Sequence, residues 1–159
     1  MKAIVTTWSR FWRLSGHARG VVLEAAAALA ATHIGLRLAG FRRWKAALAW
    51  LVPEPAGRSI AVEPGNAEMA REIARLEQSA ARHLFLRTNC LERSLVLWWL
   101  LEKRGIATEL RIGARKEAGR FEAHAWVEFE GAVLNDAGDE HHHFVPFEGS
   151  IAAMETQTH

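Results

Sequence analysis

The hydrophobic pattern of this 159-residue chain changes its period at Gly105. Before this glycine, apolar residues recur at helical spacing, as they do from Ala67 to about His83, where Asn66 can serve as the N-cap. Beyond it, apolar and polar residues alternate from Ile106 to Ile112 and again from Phe121 to Glu130, which is typical of half-buried strands. Helices followed by paired strands predict an α+β fold, with a helix packed on an antiparallel sheet.

Turn residues divide the second half of the chain into further short strands. The polar stretch from Lys116 to Arg120 predicts one turn, and Gly131 predicts the next. A third strand is then expected from Ala132 to Asp136, and a fourth from Phe144 to Phe147.

The N-terminal third is predicted to be helical. Residues 8–30 and 32–50 are rich in Ala, Leu, Val and Trp, and they predict two helices. Gly40 is expected to set off a short terminal helix from Phe41 to Leu51. Prolines and glycines over 53–66 predict a loop between this part and the rest of the chain.

The stretch from Val21 to Leu38 resembles a membrane span, but Glu24, His33 and Arg37 interrupt it. A span needs about 18 or more residues with few charges, so a buried helix is predicted and membrane contact is not expected. The N-terminus also lacks the pattern of a secretory signal. With one cysteine there is no intramolecular disulfide, which fits a reducing compartment and a cytoplasmic protein.

Positive charge is concentrated at the N-terminal end. Residues 1–50 carry a net charge of +7 and residues 51–159 a net charge of −5. This asymmetry is consistent either with solvated outer faces of helices or with a docking surface for an acidic peptide or protein. The basic residues are scattered and no nucleic-acid motif accompanies them, so nucleic acid is not expected as a partner.

Cys90 opens a helix that should lie at the centre of the fold. Thr88 or Asn89 can cap its start, and Lys103 and Arg104 are expected in its last turn. The helix is apolar nearly all round, which is typical of a buried helix. The residues responsible are Leu91, Leu95, Trp98, Trp99 and Leu101.

The position of Cys90 is compatible with two roles. A free cysteine is commonly a small buried apolar residue. At a helix N-terminus, however, unpaired N–H groups stabilise a thiolate, which is the nucleophilic form. The same N–H groups, from Cys90 itself and with Asn89 nearby, could stabilise an oxyanion on an attacked carbonyl.

His124 and Asp136 are candidate partners for the thiol. A turn at Glu130 and Gly131 would bring positions 124 and 136 within about one residue of direct opposition on neighbouring strands. Asp136 could then accept a hydrogen bond from one ring nitrogen of His124 and leave the other for the thiol. The alternative is a structural histidine and a turn aspartate. Trp126, on the His124 face, could shield the site or contact substrate.

The run of Asp139, Glu140 and three histidines, His141 to His143, resembles a metal site. Its spacing matches no structural zinc motif, and consecutive histidines point in alternating directions. A solvated loop is predicted here, with no metal and no cofactor.

A resemblance to the B2-type proteins of lasso-peptide biosynthesis is carried by CLERSLVLWWLLEKRGIATELRIGARK and then FEAHAWVEFEGAVLND. These proteins belong to the transglutaminase-like, papain-related cysteine protease superfamily. The resemblance is strong over residues 87–136 and weaker in the N-terminal helices. It implies one domain, with a helical part over 1–52, the loop over 53–66 and a transglutaminase-like catalytic core over 67–159.

What the resemblance implies is a cysteine endopeptidase that removes the leader from a ribosomally made lasso-peptide precursor. Cys90 would be the nucleophile, His124 the general base and then acid, and Asp136 the orienting residue. The partners implied are the precursor, a lasso cyclase and a separate leader-recognition protein of the B1 (RRE) type, since no recognition module is evident in this chain. An acyl transferase of the transglutaminase type, or a non-catalytic scaffold in a peptide-maturation complex, remain as alternatives.

Overall fold

Three helices and a four-stranded sheet form the part of the chain that the computed structural model describes, which is residues 14–52, 65–117, 119–136 and 140–147. The helices are α1 (Gly16–Trp50), α2 (Asn66–His83) and α3 (Cys90–Glu102). The strands are β1 (Glu109–Glu117), β2 (Arg120–Phe129), β3 (Ala132–Val133) and β4 (Val145–Pro146), with a 3-10 helix (Glu140–His143) before β4. The α+β class is as predicted. Residues 8–13 of the first predicted helix and 53–64 of the predicted loop lie outside the described residues.

The predicted break between residues 30 and 32 is wrong, because α1 runs through it without interruption. The predicted break at Gly40 is present as a kink, with φ of 76° and ψ of 170°. A left-handed φ of this kind suits glycine, which has no Cβ to clash. Beyond the kink the chain folds back far enough for the Trp44 indole to donate a hydrogen bond to Thr32 Oγ1 at 3.1 Å.

Helix α1 buries only one of its faces. Ala25, Leu29 and Thr32 have no exposed surface, whereas Leu23 and Leu38 are exposed. By length and composition the helix is also long and apolar enough to cross a membrane. Of its most apolar 18-residue window, 28% is buried against the rest of the protein. The predicted buried helix is therefore only partly buried, and its buried face packs on α2 and α3.

The helix starts follow the local capping chemistry. In α2, Gly65 occupies the N-cap position and Asn66 is already helical, so the predicted cap at Asn66 is wrong. In α3, Asn89 is the cap, as predicted, and it forms a reciprocal capping box with Glu92.

Helix α3 lies at the centre, as its apolar composition predicts. It contacts α1, α2 and the sheet. It ends at Glu102, so Lys103 and Arg104 follow its last turn rather than forming part of it. Both cations pair instead with Glu24 of α1, Arg104 Nη2 at 2.6 Å from Glu24 Oε2. The fully buried apolar side chains of α3 are Leu95, Val96, Leu97, Leu100 and Leu101.

The sheet is antiparallel throughout, in the order β3-β2-β1-β4. Strand β1 begins at Glu109 rather than at Ile106 as predicted, because the Thr108 N–H bonds the Glu102 carboxylate at 2.8 Å and not a neighbouring strand. On β2, Ala125, Val127 and Phe129 are buried on one face, as predicted, but Trp126 is buried on the other face, so this part of the strand is not half-buried.

The β2–β3 hairpin is shorter than predicted. Its turn has positive φ at Glu130 (50°) and Gly131 (77°), the combination that fits the twist of a tight hairpin. Pairing stops at Val133, because the Asn135 side chain accepts the Val127 N–H at 2.9 Å. Asp136 therefore lies beyond β3, which was predicted to include it. Strand β4 forms near its predicted place and pairs with β1.

Candidate active site

Cys90, His124 and Asp136 line one cleft of about 300 Å³ between the start of α3 and the sheet. The three side chains come from three different segments: the first residue of α3, the middle of β2 and the loop after β3. The fold thus brings together the three residues predicted from the sequence. The cleft is completed by Gln78, Arg82, Arg93, Ala125, Asn135 and Glu140.

The Cys90 thiol is free and half-buried at the first position of α3. The Asn89 side chain accepts the Glu92 N–H at 2.9 Å, and the Asn89 N–H donates to Glu92 Oε2 at 3.0 Å. The second of these bonds occupies the N–H of Asn89, so the predicted oxyanion role of Asn89 is not supported by its backbone. The N–H of Cys90 lies in the first turn, where helical N–H groups have no intrahelical acceptor.

Glu92 connects the start of α3 to α1. It is 2% exposed, and its Oε1 lies 3.0 Å from His33 Nδ1 and 3.7 Å from Arg37 Nη1. A buried carboxylate requires such partners. The first turn of the helix that carries Cys90 is therefore fixed from two sides, by its cap and by α1.

His124 is held between two aromatic rings. Its ring centroid lies 5.9 Å from that of Trp126, nearly parallel, and 5.2 Å from that of Phe144. Its Nε2 faces Asp136 Oδ1 at 3.5 Å. This is ion-pair distance, but the geometry is outside that of a hydrogen bond, and Nε2 has no other partner among the described residues.

Asp136 is almost fully enclosed, with a side chain that is 4% exposed. Its Oδ2 accepts two hydrogen bonds from His141, one from the backbone N–H at 2.6 Å and one from ring Nδ1 at 2.7 Å. Burial acts to raise the pKa of Asp136, but the two bonds from His141 and the nearby His124 outweigh it and hold the pKa below its usual value. The carboxylate is accordingly charged at neutral pH.

His141 was not recognised in the sequence, and the predicted solvated loop is wrong for it. The segment is a 3-10 helix in which His141 is half-buried on Asp136, while His142 and His143 are exposed. Nothing in the local sequence distinguishes the three histidines, because the contact depends on where the 3-10 helix lies. Across the described ranges no group of three His, Cys, Asp or Glu side chains could hold a metal ion.

Ser94 and Asn135 form a second set of contacts that sequence reasoning missed. Asn135 Nδ2 donates to Ser94 Oγ at 2.9 Å, and Ser94 Oγ donates to the Ala125 carbonyl at 2.8 Å. The residues next to His124 and Asp136 are thus tied to α3. A serine in the apolar α3, four residues after Cys90, was the available signal, since a buried hydroxyl needs a partner.

Trp126 does not lie where the predicted substrate contact requires. Its side chain is 1% exposed, its indole N–H donates to Glu128 Oε1 at 2.7 Å, and it does not line the cleft. Trp126 instead packs beside His124 and His141. It is a support for the two imidazoles.

Arg93 forms one wall of the cleft and is held by a buried partner. Glu77 has no exposed surface and accepts from Arg93 Nε at 3.3 Å and from Nη2 at 3.4 Å. Burial raises the pKa of Glu77, and Arg93 offsets part of that effect. Arg82, on the neighbouring turn of α2, is exposed on the same cleft.

A model of the transglutaminase-like superfamily matches residues 28–148. The matched region includes all three residues of the candidate site and most of the described fold. That superfamily includes cysteine peptidases and acyltransferases. No curated protein and no solved structure matches the chain.

Proposed function

The chain belongs to the transglutaminase-like superfamily, and on that premise we propose that it is a cysteine peptidase that removes the leader from a ribosomally synthesised lasso-peptide precursor. The observation that carries the proposal is the convergence of Cys90, His124 and Asp136 on one cleft. The finer identity of the substrate rests on the Cys-Leu start of α3 and on the A-H-A-W-V-E block around His124, which resemble lasso-peptide B2 proteins.

The proposed acylation step uses each residue at a defined atom. Since His124 Nε2 faces Asp136, Nδ1 is the ring nitrogen left to take the Cys90 proton. The thiolate attacks the scissile carbonyl, and the N–H of Cys90 stabilises the oxyanion. The C–N bond then breaks as Nδ1–H protonates the leaving amine, which is the new N-terminus of the core peptide. The leader remains as a thioester on Cys90.

Hydrolysis of the thioester completes the cycle. His124 removes a proton from water, the resulting hydroxide attacks the thioester carbonyl, and the C–S bond breaks. The leader leaves with a carboxylate C-terminus, and the thiolate–imidazolium pair is restored. Asp136 stabilises the imidazolium in both half-reactions.

The size of the cleft supports a separate leader-recognition protein. A volume of about 300 Å³ accommodates only the few residues around a scissile bond and not a whole leader. Affinity for the leader must then come from another surface. We propose that the B1-type recognition protein supplies it and that a cyclase consumes the freed core, both in the cytoplasm.

The kink of α1 is the surface we propose for an acidic part of that assembly. A hollow of about 660 Å³ there is lined by Gly40, Phe41, Arg42 and Arg43. Both arginines are exposed, and neither has an ion-pair partner within the described residues. Charge of this kind chiefly steers association and selects partners.

Product analysis separates this function from its alternatives. The protein is incubated with precursor and recognition protein in H₂¹⁸O, with and without a primary amine, and the masses of the products are measured by mass spectrometry. A peptidase gives free core peptide and a leader whose new carboxylate carries one ¹⁸O. A leader joined to the amine as the main product would identify an acyl transferase, and an intact precursor would contradict the proposal and favour a scaffold.

A further inference from the structure

We infer that His141 is a positioning residue of this site, which holds the Asp136 carboxylate so that its free oxygen faces His124. The inference concerns the reactivity of Cys90 and rests on the proposed function only for its substrate. Nothing in the sequence pattern assigned His141 a role.

The contacts at Asp136 divide cleanly between its two oxygens. Oδ2 receives both bonds from His141, at 2.6 Å from the backbone N–H and 2.7 Å from Nδ1. Because an ionised carboxylate can only accept, Nδ1 of His141 carries a proton. Two donors on one oxygen fix the plane of the carboxylate and direct Oδ1 toward His124 Nε2, 3.5 Å away.

The segment that carries His141 is itself anchored. The Phe144 N–H bonds the His141 carbonyl at 3.0 Å, and the Phe144 ring lies against His124. Strand β4 then pairs with β1 at Gly113, and on its other side Gly113 is the residue opposite His124 on β2. The His141 ring also lies 6.0 Å from that of Trp126. Residues 140–147, which we call the clamp, thus contact both His124 and Asp136.

Other charges around the carboxylate do not replace His141. His124 faces it from β2, while Arg82, Arg93 and Glu140 line the same cleft without a hydrogen bond to it. Burial alone acts against the charged form of Asp136, and the bonds from His141 are the largest effects that favour it. Loss of the His141 ring should therefore weaken the support that Asp136 gives to the imidazolium of His124.

The test compares three variants of the full chain. His141→Leu removes the ring donor but keeps the backbone N–H, and His141→Asn restores a donor near the position of Nδ1. His143→Ala is the matched control, because His143 is an exposed neighbour in the same 3-10 helix. The readouts are the rate of Cys90 alkylation by iodoacetamide between about pH 5 and pH 9, and leader release with its kcat and KM.

We expect His141→Leu to lower kcat by about tenfold or more with little change in KM, as for other residues that orient a catalytic group. Alkylation at neutral pH should fall in parallel and recover only at alkaline pH. His141→Asn should regain most of both rates, and His143→Ala should match the wild type.

The two readouts keep this inference separate from the proposed function. If the alkylation rates of the variants follow the expected order but neither the wild type nor any variant releases a leader, the proposed function fails and the role of His141 stands. If folded His141→Leu alkylates and cleaves as the wild type does, the inference is overturned. Should His141→Leu fail to fold, folded His141→Ala, which also lacks the ring donor, takes its place: a loss of about tenfold or more in both rates would support the inference, and wild-type rates would overturn it.

Discussion

A cysteine at the first position of a helix lies beside N–H groups that lack partners, and Cys90 takes this position in α3. This local fact could be predicted from the sequence, since the Asn89 cap and the apolar run after Cys90 are both visible there. His124 and Asp136 could also be predicted, because an imidazole and a carboxylate are suited to act as base and orienting group for a thiol, and a hairpin brings the two residues near each other. Among the unpredicted residues, Ser94 and Asn135 bond between distant segments, whereas His141 reaches Asp136, five residues earlier, only because of where the 3-10 helix lies.

The ionisation of Asp136 links this site to stability. The pKa of its carboxyl is held below the ordinary 3.8, so the charged form favours the folded state. A group with a lowered folded pKa contributes stability above its unfolded pKa and loses it as the pH falls through the folded value. The contribution is therefore complete at neutral pH and declines below about pH 4.

We expect Asp136→Asn to be less stable than the wild type at neutral pH and to approach it on acidification. Urea denaturation at about pH 6 and at about pH 3 measures the difference in the free energy of unfolding. The account predicts a smaller difference at the lower pH. An equal difference at both values would show that the charge of Asp136 does not stabilise the fold.

Among the elements, the clamp depends on a close approach at Gly113. A Cβ at this position would come within 3.0 Å of Phe144 Cβ, Trp126 Cη2 and the Val145 carbonyl oxygen. Such distances require the neighbours to shift, and a backbone oxygen shifts less readily than the end of a side chain. Gly113 is thus the position that allows residues 140–147 to pack against the imidazole of His124.

We predict that Gly113→Ala destabilises the protein by about 1–3 kcal/mol and lowers leader release, because Phe144 is displaced from His124. Thermal or urea unfolding measures the first effect and product mass the second. Gly20→Ala is the matched control: nothing lies within 4 Å of its added Cβ. In the helix it should be neutral or stabilise by about 0.5–1 kcal/mol. Wild-type stability and activity in Gly113→Ala would contradict the close packing of the clamp.

The elements also show where prediction from sequence stops. Helix starts depend on local caps and were predicted within one residue for α2 and α3. Strand limits depend on whether a backbone N–H bonds to a neighbouring strand or to a side-chain oxygen. Glu102 delays the start of β1, and Asn135 ends β3 early. Neither bond follows from alternation of polar and apolar residues, since both join residues that only the folded chain brings together.

At the scale of the whole molecule, α3 connects the chemistry to the helical part. Its first turn carries Cys90 and is tied to α1 through Glu92 and His33, while its apolar body packs on α1, α2 and the sheet. The exposed arginines at the kink of α1 are part of the same connected structure. A partner that binds at the kink would therefore contact α1, the helix that holds the first turn of α3 and hence Cys90 through the contact between His33 and Glu92.

The central claim is that the Cys90 thiol cleaves the leader from the precursor. The most direct measurement is the initial rate of leader release by wild type and by folded Cys90→Ala, each with the recognition protein and precursor, followed by mass spectrometry. The account predicts release by the wild type and a fall of at least about a hundredfold in Cys90→Ala. Release by Cys90→Ala at the wild-type rate would contradict it, because the sulfur could then not be the nucleophile.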